Sequence, residues 1–362
     1  MPPPPRARRR RLLMAGIALL LGLLVAISLV EFVLRAFDPI GLRYDTEFTT
    51  YRTQAVHYAW ERQPPPTPAE FLDGHLYRHK PDLDLSLGSF RLRTNSLGCR
   101  GPEVAPGKPA GTFRIVLLGD SVAFGWGVND EVTFARRLES EWNAAAPARR
   151  LEVINTAHPF YDTNQEEAAL REVGLPLQPD LVLLVYVVND IEPTRDVVEE
   201  LLTGQKPHPE EEVVVPDDFW SWAEAALQPV LPATGKLLGL RTDLEARVLR
   251  TLPSGAHYEP EKFRKGPRGW PRSQAALLRI RDACAAAKVP FVLFDHTLPR
   301  LEPLRGFCTA NGIDWAELRF SPADHELGIL NSALDTHANA KGHDLLLQRL
   351  RSALDERKLL PR

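Results

Sequence analysis

The sequence predicts an α/β protein: a three-layer sandwich with helices on both faces of a parallel sheet of about five strands, preceded by one N-terminal transmembrane helix. Three observations carry that prediction. From Phe113 onward, short apolar runs alternate with amphipathic stretches, the pattern of parallel strands joined through helices. Near the N-terminus a 19-residue stretch, Leu12 to Val30, contains no charged residue. The 362-residue chain is 44% hydrophobic and 25% charged, enough apolar content for one sizeable domain with additions.

Residues 1–11 form a basic tail, with Arg6 and Arg8 to Arg11 directly before the apolar run. As a helix that run spans about 28 Å, close to the roughly 30 Å hydrocarbon core of a bilayer. Arginine is retained on the cytoplasmic side, so residues 12–35 read as a signal anchor that places the rest of the chain outside the cytoplasm. A cleaved signal peptide is the rival reading. Ala26-Ile27-Ser28 is a small-x-small site, but the apolar run continues past it. Residues 36–112 read as an irregular juxtamembrane segment that packs on the main domain. Pro64-Pro65-Pro66-Thr67-Pro68 and the stretch Pro102 to Gly111 exclude a long helix there. Phe90 to Thr94 alternates like a short strand, and Asn95-Ser96-Leu97-Gly98 supplies turn residues.

The main domain covers residues 113–362. Ile115 to Leu118 suits a buried parallel strand, Phe134 to Trp142 has helical spacing, and Leu151 to Asn155 reads as a second strand. Thr163-Asn164-Gln165-Glu166 fits a capping box opening a helix that ends near Gly174. Leu181 to Val188 is the most apolar strand and belongs at the centre of the sheet. Helix Ser273 to Ala287, strand Pro290 to Asp295, short strand Ile313 to Trp315 and helix Ala340 to Leu354 complete the alternation. An 81-residue insertion, 191–271, interrupts the rhythm with acidic runs, prolines, Trp220 and Trp222. It reads either as a lid over the carboxyl edge of the sheet or as a surface elaboration.

The net charge of −3 hides an asymmetry. Six Arg and one Glu give residues 1–35 a charge of +5, leaving −8 on the remainder. An acidic body argues against a nucleic-acid partner, whose binding surfaces need clustered Lys and Arg. Three cysteines do not make a disulfide framework; Cys284 and Cys308 either pair or remain buried thiols. No Cys/His spacing suggests zinc, and nothing indicates a metal, nucleotide, flavin or other cofactor.

The chemistry-bearing residues lie at element ends. Arg114 to Ser121 reads as a strand running into Gly119-Asp120-Ser121, and Asp335-Thr336-His337-Ala338-Asn339 precedes the last helix. A serine hydroxyl becomes a nucleophile when a base takes its proton and a third group orients that base. These two segments hold all three parts. The structural readings of the neighbours are a turn brace for Asp120 and helix caps for Asp190 and Asn339. His343 reads as a structural residue, and exposed loop positions are the default for His296 and His325.

Gly119-Asp120-Ser121, Asn155 to Tyr161, Asn189-Asp190 and Asp335-x-His337 resemble the four blocks of the SGNH hydrolases, the GDSL esterases and lipases. The resemblance covers roughly residues 113–190 and 275–356. Thr94 to Arg100 looks like a segment of membrane-anchored bacterial members. The resemblance implies the flavodoxin-like α/β/α fold, Ser121 as nucleophile, His337 as general base and Asp335 as its orienting acid. It further implies an oxyanion hole built from the Ser121 N–H, the N–H at position 160 and the Asn189 amide. Two positions depart from the family pattern: Phe160 and Val187 stand where glycine is usual. Asp also precedes His by two positions, where many members show three.

Three functions follow as expectations. The first is a serine ester hydrolase acting on a small acyl ester, with an envelope glycan as one carrier of the acyl group. The second is an O-acyltransferase moving an acetyl group to a polysaccharide. The third is a degenerate module that binds or scaffolds in the envelope. The expected partners are the acyl ester and the membrane, met through the N-terminal helix.

Overall fold

A computed structural model describes residues 5–38, 41–58, 77–105, 107–146, 149–191, 226–227, 229–235, 269–298, 300–332 and 334–361. The lid or surface role expected of the insertion therefore falls mostly outside the described residues. Two compact units are present, one holding residues 1–44 with 212–249 and 332–334, the other holding the rest.

In the first unit, helix α1 (Pro5–Phe37) contains a stretch, Arg9–Phe37, long and apolar enough to cross a membrane, with a peak mean hydropathy of 2.8. At the end of that stretch Glu31 accepts hydrogen bonds from the Ala233 and Thr234 N–H groups and from the Thr234 hydroxyl.

The second unit contains the sheet. Its five strands are all parallel: β5 (Thr112–Gly119), β6 (Arg150–Asn155), β7 (Leu181–Tyr186), β8 (Phe291–Asp295) and β9 (Asp314–Glu317). Their order across the sheet is β6-β5-β7-β8-β9. All six residues of β7 are buried, as a strand covered on both faces requires. Helices α4 (Phe134–Ala145) and α9 (Ala340–Glu356) pack together, as do α5 (Thr163–Ala169) and α6 (Trp270–Ala287), which gives the α/β/α sandwich the alternation predicts. Further α-helices are α2 (Arg43–Thr50), α3 (Ser121–Phe124), α7 (Glu302–Ala310) and α8 (Pro322–His325). The chain leaves β5 for β6 on one side and later for β7 on the other. The strand order reverses at β5, which opens the crevice where open α/β sheets bind ligands.

At the opposite end of β5, Arg114 is fully buried and satisfied. Its guanidinium donates to Glu152 at 2.7 Å, the Leu177 carbonyl at 2.9 Å and the Ala105 carbonyl at 2.7 Å. A buried arginine is tolerable only when its donors are met in this way.

The described residues of 36–112 include regular elements. Helix α2 leads into two antiparallel pairs, β1 (Val56–Tyr58) with β2 (Tyr77–His79) and β3 (Asp84–Ser86) with β4 (Arg91–Arg93). Arg100 bridges to Asn155 at the end of edge strand β6.

Several local expectations need correction. The cap of α5 is Asp162, whose side chain accepts from the Asn164 and Gln165 N–H groups; Thr163 is already helical and its hydroxyl donates to the Asp190 carbonyl. Aspartate is the stronger cap because it carries charge to the helix N-terminus. Asp190 caps no helix; its Oδ2 turns back to accept the Val187 N–H at 2.9 Å. His296 is half-buried, bonded to the Leu318 carbonyl, and desolvation pushes its pKa down to about 4. His325 is half-buried as well. Cys99, Cys284 and Cys308 are buried free thiols, each pushed up to about 12 by burial.

Candidate active site

Three adjacent strands deliver the site. Their carboxyl ends lie side by side in the order β6-β5-β7, so Phe160, Ser121 and Asn189 arrive at one crevice from three connections. The turn out of β5 is tight. Gly119 has φ +144°, and a Cβ there would lie 2.6 Å from the Ala123 Cβ and 3.0 Å from the Val185 carbonyl. Glycine is required by the conformation and by the space. Asp120 then caps α3, accepting the Val122 N–H at 2.9 Å, which sets Ser121 as the first residue of that short helix. The turn-brace reading of Asp120 thus describes what its Oδ1 does.

His337 Nε2 lies 2.8 Å from Ser121 Oγ, and His337 Nδ1 lies 2.6 Å from Asp335 Oδ1. With Nδ1–H donated to the carboxylate, Nε2 is the acceptor and the serine hydroxyl donates to it; this tautomer is assigned from the network. The same Oδ1 also accepts the His337 backbone N–H at 3.1 Å. One carboxylate oxygen therefore holds both nitrogens in a single tight turn, which is how a two-residue spacing suffices. The second oxygen accepts from Asn331 Nδ2 at 3.0 Å. Asn331 itself is pinned across the loop, its N–H donating to the His337 carbonyl at 2.9 Å. Gly127, at φ +82°, leaves room for this arrangement: a Cβ there would sit 1.9 Å from Asn331 Nδ2.

The third connection holds Phe160 at φ +67°. The Tyr161 N–H donates to the His158 carbonyl at 3.1 Å, closing a turn with Pro159 and Phe160 at its centre. Proline fixes φ near −65°, so a positive φ at the following residue makes a type II turn, whose third position favours glycine. Phenylalanine occupies it at a cost of roughly 1–2 kcal/mol. Its ring packs on Phe48 of α2, with centroids 4.6 Å apart, and Phe48 contacts Trp126 at 5.9 Å. The Trp126 ring lies 6.2 Å from the His337 ring. A continuous aromatic wall thus runs from the imidazole to the Phe160 turn.

Asn189 Nδ2 donates to Asp120 Oδ2 at 3.2 Å, a contact that uses one of its two hydrogens. Ser121 Oγ also lies 3.2 Å from that oxygen, a longer contact than the one to His337. Desolvation raises the Asp120 carboxyl above its usual range despite its hydrogen bond from Val122. Among the described residues no group of three or more His, Cys, Asp or Glu is placed to hold a metal ion.

All the residues singled out from the sequence, Ser121, Phe160, Asn189, Asp335 and His337, lie in this crevice or the loop facing it. Sequence reasoning missed Asn331, Gly127, Trp126 and Phe48. The Gly125-Trp126-Gly127 triplet just after the serine was the available signal for two of them. Phe48 lies more than seventy positions upstream and left none.

Solved structures similar to this chain share little sequence with it. The psychrotrophic esterase EstA from a Pseudoalteromonas species is 13% identical, with a TM-score of 0.38, over 68% of this chain and 98% of that one. An acetylxylan esterase from Geobacillus stearothermophilus is 11% identical, with a TM-score of 0.37, over 67% of this chain and 94% of that one. No curated protein sequence matches. The family model for the GDSL-like lipase/acylhydrolase family matches residues 117–345, which run from inside β5 into α9. The chain belongs to the GDSL-like lipase/acylhydrolase family, and it is a hydrolase that acts on ester bonds.

Proposed function

We propose that the protein is a membrane-anchored serine esterase in which Ser121, His337 and Asp335 form the acyl-transfer triad. The observation that carries this reading is the 2.8 Å contact between Ser121 Oγ and His337 Nε2, with the far side of the same ring held at 2.6 Å on Asp335. His337 takes the hydroxyl proton as Oγ attacks the ester carbonyl, then returns it to the leaving alcohol. Water enters next, gives its proton to His337 and releases the acid from Ser121. Asp335 keeps the ring in the productive tautomer and stabilises the imidazolium. The Ser121 and Phe160 N–H groups and the second amide hydrogen of Asn189 serve as oxyanion donors. A donor of this kind is worth about 3–4 kcal/mol in the transition state.

The aromatic wall of Phe48, Trp126 and Phe160 favours a small acyl group, since it narrows the space beside the imidazole. The Arg6–Arg11 cluster before α1 supports an exported domain tethered by residues 12–35, close to envelope glycans that carry acyl esters. Water is the acceptor in this reading; sugar hydroxyls are the acceptor to test beside it.

The deciding experiment treats the detergent-solubilised full chain with a fluorophosphonate and locates the adduct by peptide mass. A single adduct on Ser121, lost in Ser121→Ala together with turnover of short-chain p-nitrophenyl esters, is the expected result. Ester turnover that survives Ser121→Ala would refute the reading.

A further inference from the structure

Four carboxyl groups lie behind the strand ends: Asp120 after β5, Asp162 and Glu166 at α5, and Asp190 in the turn that carries Asn189. Three of them have evident duties. Asp120 accepts from Val122 and Asn189, Asp162 caps α5, and Asp190 Oδ2 accepts the Val187 N–H. What remains is unusual. Both carboxyl oxygens of Glu166 and Oδ1 of Asp190 are buried without a hydrogen-bond partner among the described residues. Glu166 is fully buried and Asp190 nearly so.

The largest charge interactions on both groups are repulsive. Glu166 is faced by Asp120 and Asp162; Asp190 is faced by Glu166, Asp120 and Asp162. From β7 the Tyr186 phenol faces both acids, and its hydroxyl bonds Ser273 of α6. Of the three arginines on α6, Arg279 donates to Asn164 at 2.9 Å and pairs with Glu167, and Arg281 donates to Asp282 and to the Asn311 carbonyl. Burial and mutual repulsion push both carboxyls well above the usual range. Thr163, one turn before Glu166 on α5, donates to the Asp190 carbonyl, so two bare carboxylates here would add negative charge at the turn that carries Asn189, opposing the charge an oxyanion hole stabilises. A proton between them removes one charge and satisfies an orphaned oxygen on each residue.

We propose that Glu166 and Asp190 hold one proton between them as an acid–carboxylate pair, and that this pair fixes the Val187–Ile191 turn so that Asn189 faces the oxyanion. Glu166 is thereby a positioning residue: it acts through Asp190, whose Oδ2 closes the turn and whose carbonyl takes the Thr163 hydroxyl. The proposal rests on the reading of Asn189 as an oxyanion donor.

The test uses the full chain in detergent and two readouts. Infrared difference spectra of wild type against Glu166→Gln at neutral pH should show the carbonyl stretch of a protonated carboxylic acid, lost in the variant. Glu166→Gln, whose amide donates the same hydrogen bond, should keep kcat within about threefold at neutral pH and should remove the alkaline fall in kcat that loss of the shared proton is expected to cause in wild type. Glu166→Leu should lower kcat about tenfold or more with KM little changed. A difference spectrum without that band overturns the shared proton, and it does so even if Glu166→Leu fails to fold. Equal kcat for wild type, Glu166→Gln and Glu166→Leu at every pH overturns the positioning role. Fluorophosphonate labelling of Ser121 in the same samples answers for the esterase reading separately.

Discussion

Replacing Gly127 by alanine should disable the site through a residue that touches no substrate. The added Cβ would lie 1.9 Å from Asn331 Nδ2 and 3.1 Å from Asp335 Oδ2, so Asn331 must leave its place. At φ +82° the alanine also carries the left-handed penalty of roughly 1–2 kcal/mol. Losing the 3.0 Å hydrogen bond from Asn331 to the Asp335 carboxylate adds about 1.5–3 kcal/mol, the range for bonds to charged groups. The sum is about 2.5–5 kcal/mol of stability. Asp335, without its bond from Asn331, orients the imidazole less well, and kcat should fall about tenfold, equivalent to about 1.4 kcal/mol. A double-mutant cycle with Asn331→Ala isolates the cause. In the Asn331→Ala background the clash is gone, so Gly127→Ala should cost only the backbone penalty. Urea unfolding and ester turnover on the four proteins measure both. Strictly additive effects, or a Gly127→Ala enzyme with wild-type kcat, would refute the reasoning.

Three further outcomes are expected. Phe160→Gly relieves roughly 1–2 kcal/mol of left-handed strain but gives up about 0.5–1.5 kcal/mol of ring contact with Phe48 and about 0.5–1 kcal/mol of chain entropy. Stability should change little while turnover of longer acyl esters rises relative to acetate; an unchanged chain-length profile would exclude the wall as the selector. His343 is buried, accepts the Phe134 N–H at 3.2 Å and is pushed down to about 3 by desolvation. It stays neutral in the fold while the unfolded chain protonates it near 6.5, so stability is lost as pH falls below that value. His343→Gln should reduce the acid slope of unfolding free energy by about 1.4 kcal/mol per pH unit between about pH 6 and 4, and identical slopes would contradict the assignment. A reporter active only outside the cytoplasm, fused after Val30, should give signal; activity from a cytoplasm-only reporter there would reverse the topology.

Much of the sheet was legible because buried parallel strands need little more than unbroken apolar runs. Leu181 to Tyr186 is such a run, and it is central and fully buried. The Ser, Asn, Asp and His of the crevice were legible because each sits at an element end with a motif around it. Phe160 was legible as an anomaly, and its positive φ is the strain that the missing glycine foretold. What escaped has its meaning in three dimensions. Thr163-x-x-Glu166 satisfies a capping pattern, yet the cap is Asp162 and Glu166 points into a buried acid cluster that no linear spacing encodes. Asn331 and Gly127 are more than two hundred positions apart in sequence, and only the closed loop makes them neighbours.

Arg100 shows where the folding unit begins. Its guanidinium is buried, lies over the Phe124 ring and donates to the carbonyls of Phe124, Gly125 and Val128, the chain that leaves the nucleophile. Its backbone N–H donates to the Asn155 carbonyl, covering the last residue of the edge strand β6. A chain started at Thr112, just ahead of the family match, would contain every residue of the triad and lack the clamp beneath it. Three carbonyls would lose their donor and the end of the edge strand would lose its cover, leaving more of that edge open to pairing with other chains. Such a fragment would be recognised as an esterase by any sequence pattern and recovered as an aggregate. The smallest unit that carries the chemistry is therefore larger than the smallest unit that carries the signature.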